Sequence, residues 1–343
     1  MMRVQKIFKW FFIGLGCLLV ITLVGGYIYQ EISVSRDLAR FLAPGKFIDV
    51  DGHLMHIHCQ GQGSPTVIVE QGLNIPSAAW EDIDIKFSHL TKVCAYDRAG
   101  LGYSEPVDHP MRATEVAEQL NKLLHNTKIE DDIVLVGWSA GGLFIRKYYQ
   151  LYPDKVKGML FVDSAHEQGL IRAPQWPTNA WKSYQNQIEK YAAPFGLVRL
   201  RNEIKVILGS GERLNDRFSA VYHQSHSISV GLDAEEAFKL DGQSPHPPPP
   251  IGDLPLIVLT ASKPEKISKN IPPKVSIKIH KYFQESRRAW NQLHSELAAL
   301  STRGKHIITS KSGHWMHTDQ PELLIDSVKE LVQIVREQQH RVD

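Results

Sequence analysis

One serine stands at the centre of a five-residue motif, residues 137–141, which reads Gly-Trp-Ser-Ala-Gly. The motif follows an apolar run, residues 133–136, and precedes a helix-like stretch, so a strand, a sharp turn and a helix are predicted. Gly137 and Gly141 lie two residues before and after the serine, where any side chain would crowd such a turn. The motif therefore predicts that Ser139 is held at the tip of a strand as a nucleophile for acyl transfer.

A histidine suited to the role of general base lies far along the chain, at His314. It follows a strand-like run, residues 306–309, and precedes residues 319–322, which have the pattern of a helix start. A histidine on such a loop can reach a serine at a neighbouring strand end and accept its proton. The chain has 16 histidines, so position selects this one. His317 is the alternative base and is otherwise expected at the surface.

The elements that must hold these residues alternate along the chain in an α/β pattern. Two stretches, residues 113–127 and 285–300, carry apolar stripes at helical spacing that are expected to pack on a sheet. The alternation stops between residues 165 and 252, which are predicted to form a mainly helical cap ending in a run of prolines. A mostly parallel sheet with an antiparallel start is predicted from strand-like runs at 46–50, 53–59, 66–70, 92–96, 133–136 and 159–162.

A further motif, residues 96–104, reads Tyr-Asp-Arg-Ala-Gly-Leu-Gly-Tyr-Ser. It is similar to the Asp-x-Arg-Gly-x-Gly-x-Ser turn that follows the fourth strand in many α/β-hydrolases, with Ala99 in place of a glycine. With the serine motif, it makes residues 47–335 resemble the α/β-hydrolase superfamily, and in particular its membrane-anchored bacterial esterase-like serine hydrolases. The resemblance implies an α/β-hydrolase fold: a mostly parallel eight-stranded sheet flanked by helices, with the helical cap inserted after strand 6.

The acid that orients the histidine has two candidates. Asp163 ends the strand-like run 159–162, the strand end at which haloalkane dehalogenases and some lipases carry their acid. A carboxylate there can accept the Nδ1 proton of His314 and leave Nε2 free for Ser139, although Asp163 also suits a helix or turn cap. The commonest arrangement in the superfamily places the acid after the strand that follows the cap, where the chain offers Glu265. Asp163 is the preferred acid and Glu265 the alternative.

The resemblance also implies an oxyanion hole and a pairing of two cysteines. One backbone donor is expected from Ala140 and the second from Leu73, in a loop that usually reads His-Gly-X and here has Gln71 in place of the histidine. Cys59 and Cys94 fall on the second and fourth strands, which are neighbours in this fold. A disulfide between them is expected, with two buried free thiols as the alternative.

An uncharged apolar stretch, residues 10–29, precedes the hydrolase-like part. As a helix it is about 30 Å long, enough to cross a hydrocarbon core. Arg3, Lys6 and Lys9 precede it and Glu31 follows, so the positive-inside rule places the N-terminus in the cytoplasm and the catalytic domain outside. The alternative is a secreted protein released by signal cleavage, although the stretch is longer than a typical signal and has no convincing cleavage site.

The composition of this 343-residue chain limits the classes of partner and cofactor that it is expected to bind. It is 43% hydrophobic and 22% charged, with a net charge of +2, as expected for one compact catalytic domain after an anchor. Basic clusters, phosphate loops and paired Cys or His spacings are not apparent, so we expect no nucleic-acid partner, no metal and no cofactor. The predicted domains are an N-terminal signal anchor at 1–30, a juxtamembrane linker at 31–45, and an α/β-hydrolase domain at 46–343 with its cap at 165–252.

The expected function is that of a serine hydrolase that cleaves a carboxylic ester through a Ser-His-Asp triad and an acyl-enzyme. Aromatic residues in the cap favour an apolar acyl or aromatic substrate, and the anchor adds lipidic substrates. A thioesterase, an amidase or an acyltransferase would use the same residues. A membrane-tethered binding protein without catalytic activity is the alternative from another class.

Overall fold

The computed structural model describes residues 2–109, 111–130, 132–174, 180–207, 215–264 and 273–340. Its sheet is built from β1 (Lys46–Val50), β2 (His53–Gln60), β3 (Thr66–Glu70), β4 (Val93–Tyr96), β5 (Ile133–Trp138), β6 (Val156–Val162), β7 (Leu256–Ala261) and β8 (Gly304–Thr309). The spatial order of the eight strands is β1-β2-β4-β3-β5-β6-β7-β8. β2 runs antiparallel to β1 and β4, and the remaining pairs are parallel. The predicted mostly parallel sheet with an antiparallel start is confirmed.

Helices fill the connections between the strands. They are α1 (Met2–Arg40), α2 (Glu81–Ser88), α3 (Ala113–Asn126), α4 (Ala140–Leu151), α5 (Gly169–Arg172), α6 (Ala180–Ala192), α7 (Leu197–Ile207), α8 (Asp216–Tyr222), α9 (Ser225–Asp241), α10 (Pro273–Ala298), α11 (Met316–Asp319) and α12 (Pro321–Gln339). Short 3₁₀ helices lie at Ser77–Trp80, Pro153–Lys155 and Ala193–Phe195. The described part of the predicted cap, between β6 and β7, is mainly helical.

The chain divides into two compact units. The sheet unit comprises Pro44–Thr178 and Val230–Asp343. The helical unit comprises Met1–Ala43 and Asn179–Ser229, so it joins the N-terminal helix to the middle of the cap segment.

The central strands of the sheet unit are apolar because both faces of the sheet are covered. On β5, Ile133 and Leu135 point into one core layer and Val134 and Val136 into the other. Helices α3 and α4 supply the first layer with side chains such as Leu120, and α2 and α12 supply the second. Since the parallel strands share one direction, their carboxyl ends meet at a single edge of the sheet, where the loops that follow β5, β6 and β8 come together.

The two cysteines of the sheet unit lie directly opposite each other on β2 and β4. Cys59 is paired in register with Cys94, and the two form a disulfide bond. The structure thus has the arrangement that the resemblance implied, in place of two free thiols.

The helical unit begins with one long helix. Within the described ranges, one helical stretch, Ile7–Arg40, is long and apolar enough to cross a bilayer, and an 18-residue part of it has a mean hydropathy of 2.3. The stretch predicted as a juxtamembrane linker, residues 31–45, is helical as far as Arg40. Inside this unit Gln30 donates to the carbonyl oxygen of His223 at 2.7 Å. The side chains beyond the apolar stretch are therefore engaged by the cap segment.

Candidate active site

Ser139 occupies the turn between β5 and α4 with a strained backbone, φ 55° and ψ −123°. Such a conformation is costly for a residue with a side chain and is often found at functional sites. The two flanking glycines are needed because a Cβ on Gly141 would lie 2.3 Å from the carbonyl oxygen of Glu70, and one on Gly137 would lie 2.8 Å from that of Gly141. The local structure is the strand, sharp turn and helix that the motif predicted.

The structure brings His314 and Asp163 to this turn from two other strand ends. His314 Nε2 lies 3.0 Å from Ser139 Oγ, and His314 Nδ1 lies 2.6 Å from Asp163 Oδ2. Because an ionised carboxylate only accepts hydrogen bonds, the proton of a neutral imidazole sits on Nδ1 and leaves Nε2 to accept from the serine hydroxyl. The three side chains thus form a continuous hydrogen-bonded line from a buried carboxylate to the serine hydroxyl.

Asp163 stays ionised although it is 5% exposed. Burial by itself raises the pKa of this carboxyl group, but the hydrogen bond and the charge of His314 outweigh it and hold the pKa below its usual value. The residue also adopts a positive φ of 42°, which is uncommon for a residue other than glycine. Glu265, the alternative acid, lies outside the described residues.

The alternative base, His317, belongs to an aromatic cluster. Its ring lies 4.7 Å from the ring of Trp80 and 5.1 Å from that of Trp138, centroid to centroid. Burial, reinforced by the neighbouring His314, lowers the pKa of His317 to about 4. The structure therefore places His317 in packing and His314 beside the serine. Trp138 supports this arrangement by donating its indole N–H to the carbonyl oxygen of His314 at 2.9 Å.

A tryptophan on α10 holds the second oxygen of Asp163. Trp290 Nε1 donates to Asp163 Oδ1 at 3.0 Å, and the backbone N–H of Ala261 donates to the same atom at 3.1 Å. The helical spacing of the stripe that contains Trp290 predicts a packing surface and does not by itself point to this hydrogen bond. The available signal was the polar end of the indole, which finds an acceptor when it is buried.

Replacing Trp290 with phenylalanine is expected to lower kcat by about tenfold with little change in KM. The substitution keeps an apolar ring but removes one of the two hydrogen bonds to Asp163 Oδ1, and a bond to a charged group contributes about 1.5–3 kcal/mol. Steady-state ester hydrolysis across pH would test it, since a positioning role changes kcat and its pH profile while a purely structural role lowers the melting temperature alone. An unchanged kcat in a folded variant would contradict this role.

A chain of polar side chains, buried at His294 and Thr260 and half-buried at His306, ends at the backbone of Ser164, the residue after Asp163. His294 Nε2 is 2.7 Å from the carbonyl oxygen of Ser164, so this nitrogen donates. His294 Nδ1 then accepts from the hydroxyl of Thr260 at 2.6 Å, and that hydroxyl accepts from His306 Nε2 at 2.7 Å. All of these bonds are satisfied with both imidazoles neutral. Burial lowers the pKa of His294 to about 4.

Stability is expected to fall as the pH drops from about 6.5 towards about 4. Over this range the unfolded chain protonates His294 while the folded protein does not, so the unfolded state binds more protons and acid favours it. The full contribution of this one histidine is about 3 kcal/mol. Urea unfolding at pH 7.0 and 4.5 would measure it, with His294→Gln losing less stability between the two pH values than the parent. Equal losses would contradict the assignment of a buried neutral imidazole.

The loop after β3 passes beside Ser139. A Cβ on Gly72 would lie 3.3 Å from Ser139 Cβ, so Leu73, the predicted oxyanion donor, directly follows a residue whose backbone lies close to Ser139. Arg98 braces this loop by donating to the carbonyl oxygens of Gln71 at 2.9 Å and Gly72 at 2.6 Å. Ala140, the other predicted donor, is the first residue of α4, where a backbone N–H has no partner inside the helix.

Two buried carboxylates, those of Glu70 and Asp97, hold Arg98 and the loop after β3 in place. Arg98 pairs with the buried carboxylate of Glu70, whose pKa burial raises, with the guanidinium offsetting only part of that rise. Asp97 accepts from the backbone N–H of Ser77 at 2.6 Å and from His56 Nδ1 at 2.8 Å. The motif at 96–104 therefore acts through the loops it fixes. In the described part of the chain, no group of three or more His, Cys, Asp or Glu side chains is placed to hold a metal.

Comparison with protein-family models matches residues 65–321 to the α/β-hydrolase fold family. The chain belongs to this family. An uncharacterized protein of Bacillus subtilis, YbdG, is 31% identical over 166 residues, which cover 48% of this chain and 51% of that protein. The chain thus spans about half the length of this relative. An AB hydrolase superfamily protein of Gibberella zeae is 25% identical over 287 residues, covering 79% of this α/β-hydrolase and 87% of the relative.

Solved structures agree with the fold of this α/β-hydrolase. A thermophilic esterase from Thermogutta terrifontis matches it with a TM-score of 0.54 at 18% identity, covering 84% of this chain and 97% of the other. A likeness at this level of identity shows the shared fold. The predicted α/β-hydrolase architecture is confirmed by the sheet topology and by these comparisons together.

Proposed function

We propose that this α/β-hydrolase cleaves carboxylic esters by acyl transfer through Ser139, with His314 as general base and Asp163 as the acid of the triad. The observation that carries the proposal is the line of hydrogen bonds from Asp163 through His314 to Ser139 at a strained turn. Its supports are the backbone strain at the serine, the ionised acid and the tautomer that the acid imposes on the imidazole.

The reaction proceeds in two steps. His314 Nε2 takes the hydroxyl proton while Ser139 Oγ attacks the ester carbonyl, and the resulting imidazolium gives that proton to the departing alkoxide. Water then attacks the acyl-enzyme with the same histidine as base and releases the acid. The N–H groups of Leu73 and Ala140 stabilise the negative oxygen of both tetrahedral intermediates. Asp163 remains ionised throughout and stabilises the imidazolium.

We expect the enzyme to prefer esters whose acyl group is apolar. The two proposed oxyanion residues belong to an apolar cluster that includes Leu143, Phe144 and Phe238. A carbonyl bound at Leu73 and Ala140 would have its acyl chain against hydrocarbon walls, which favours chains that gain by leaving water. The esterase among the structures of similar fold is consistent with this chemistry.

The location follows from the N-terminal helix. We propose residues 1–30 as an uncleaved signal anchor and residues 46–343 as the hydrolase domain on the far side of the membrane from the cytoplasm. The apolar helix and the basic residues before it support this orientation. The disulfide between Cys59 and Cys94 supports it as well, since such bonds persist mainly outside reducing compartments.

Initial rates on matched substrates test the proposed reaction. The full-length protein in detergent would be assayed with p-nitrophenyl esters from two to sixteen carbons, and with the thioester and anilide of the best acyl group. We expect the ester to be cleaved fastest and a serine-reactive phosphonate to abolish the rate. A faster thioester or anilide would reassign the substrate class, and product formation with an added alcohol would indicate acyl transfer. A folded protein that cleaves none of them and takes up no phosphonate would favour the non-catalytic binding protein.

A further inference from the structure

We propose that the cap segment carries a second membrane contact, which lies in the interfacial layer of the bilayer that α1 spans. The contact surface, called the α6–α7 face here, consists of Ile188, Tyr191, Leu197, Leu200, Ile204 and Ile207. The proposal rests on the membrane anchoring proposed above, and it goes beyond the anchor because it assigns a lipid contact to residues far from it in sequence.

The α6–α7 face is apolar and exposed where a water-facing surface would be polar. On α7, residues 197, 200, 204 and 207 recur at helical spacing and are all exposed, up to 80% for Ile207. The side of α7 that packs into the helical unit instead carries Val198 and Arg199, both buried. Tyr191 on α6 is 71% exposed. An apolar helix face turned outward in this way marks a surface that meets a partner.

The beginning of α7 contacts α1 at the end of its uncharged stretch. A Cβ on Gly26 would lie 2.6 Å from the carbonyl oxygen of Phe195, and one on Gly196 would lie 2.7 Å from the ring of Tyr29. Tyr29 is the last residue of the uncharged stretch 10–29. The contact therefore falls within about 5 Å of the point where a membrane-spanning α1 would leave the hydrocarbon core.

Helix α7 contacts Tyr29 again in its second turn. The hydroxyl of Tyr29 donates to Glu203 Oε2 at 3.0 Å, so the same tyrosine touches the chain just before α7 and a residue two turns later. Farther along α1, Asp37 pairs with Arg199 at 2.6 Å and Arg40 with Asp216 at 3.4 Å. These polar contacts lie on the water side, and they fix the cap helices to α1.

The chemistry of the surface fits the interface of a lipid bilayer. Tyrosine is enriched at the boundary of water and lipid, and aliphatic side chains on one helix face insert beneath the headgroups. The charged residues of α6 and α7 are mostly basic, and two of the arginines are neutralised, since Arg201 pairs with Glu189 and Arg199 with Asp37. Because the exposed side chains of the face are apolar, burial of apolar area is the main driving force, and a phosphatidylcholine bilayer is a sufficient partner.

Depth-dependent quenching tests the contact in the full-length protein. Single cysteines carrying an NBD fluorophore would be placed by Ile207→Cys or Leu200→Cys in a Cys17→Ser background, and the protein would be reconstituted in phosphatidylcholine vesicles. The parent protein, in which the native Cys17 is exposed on α1, is labelled separately and reports on the membrane-spanning segment. Asp216→Cys is the matched control, because Asp216 lies in the same unit beside Arg40, about 16 Å along α1 from Tyr29. Lipids with a nitroxide on the acyl chain are the quencher.

We expect the labels at 200 and 207 to be quenched about twofold and to emit at shorter wavelength, with the label at 216 unaffected. Labels at 200 and 207 that behave like the one at 216, while Cys17 is quenched, would overturn the proposal and leave the anchor in place. An unquenched label at Cys17 would remove the anchor and this contact with it. Because the readout is independent of turnover, failure of the proposed esterase activity would be seen separately. Melting curves of the labelled proteins exclude unfolding as the cause.

Discussion

Replacing Ser139 with alanine is expected to lower kcat for a p-nitrophenyl ester by about 10⁴-fold or more, because no second group can take over the attack. The residual rate is that of water attack assisted by the oxyanion donors and by substrate binding. The backbone strain at residue 139 does not depend on the hydroxyl, so the folded structure is expected to persist. Initial rates at saturating substrate, compared with the parent protein, measure the effect.

The matched control for this variant is Ser310→Ala, which removes a hydroxyl from an exposed loop residue after β8. It should retain full activity, and mass spectrometry should find a serine-reactive phosphonate on Ser139 of both the parent and this control. Comparable turnover by Ser139→Ala, with a normal melting curve, would show that the chemistry occurs elsewhere in the protein.

Much of the fold could be predicted from the sequence, because the spacing of apolar residues directly reflects the periods of helices and strands. The run that became β5 is apolar at every position, as a strand covered on both faces must be, and the glycines at 137 and 141 signalled the turn that follows it. The end of α1 was less predictable. Glu31 ends the uncharged stretch, yet the helix continues to Arg40, since residues such as Gln30 and Asp37 find partners in a segment more than 150 positions away.

The candidate site likewise has residues that could be predicted from local patterns and residues that could not. Ser139, His314 and Asp163 were predictable because each follows a strand, and parallel strands deliver their ends to one edge. Trp290 and His294 were not, because their helical spacing is equally typical of packing. Only the three-dimensional arrangement shows that one turn of α10 presents an indole N–H to the acid and an imidazole to the backbone that follows it. Polar atoms on a helix face that packs in the core need hydrogen-bond partners, but the spacing of the residues along the helix does not identify those partners.

The proposed donors of the oxyanion hole illustrate how a departure from a family pattern can be tolerated. Gln71 stands where a histidine is usual, yet the loop is held through its carbonyl oxygens by Arg98 rather than through that side chain. A backbone donor at Leu73 requires only that the loop path be kept, and Gly72 permits its close approach to Ser139. The brace therefore comes from a buried ion pair between β3 and the turn after β4.

Replacing Asp163 with asparagine is expected to lower kcat by about 10⁴-fold, although it exchanges only one carboxylate oxygen for an NH₂ group. The surroundings decide how the new amide must sit. Ala261 N–H and Trp290 Nε1 both donate to the position of Oδ1, so the amide oxygen takes that place and the NH₂ group faces His314 Nδ1. That nitrogen must then accept, which moves the imidazole proton to Nε2 and leaves no acceptor for the hydroxyl of Ser139.

Steady-state kinetics of Asp163→Asn beside Glu265→Gln would decide between the two candidate acids. We expect Glu265→Gln to retain nearly full activity, because the hydrogen bond from His314 Nδ1 is already made to Asp163. Full activity in Asp163→Asn combined with its loss in Glu265→Gln would transfer the role to the glutamate. Because Asp163→Asn preserves side-chain size and both of the hydrogen bonds at Oδ1, a loss of kcat without a loss of stability would locate the effect in the tautomer of His314.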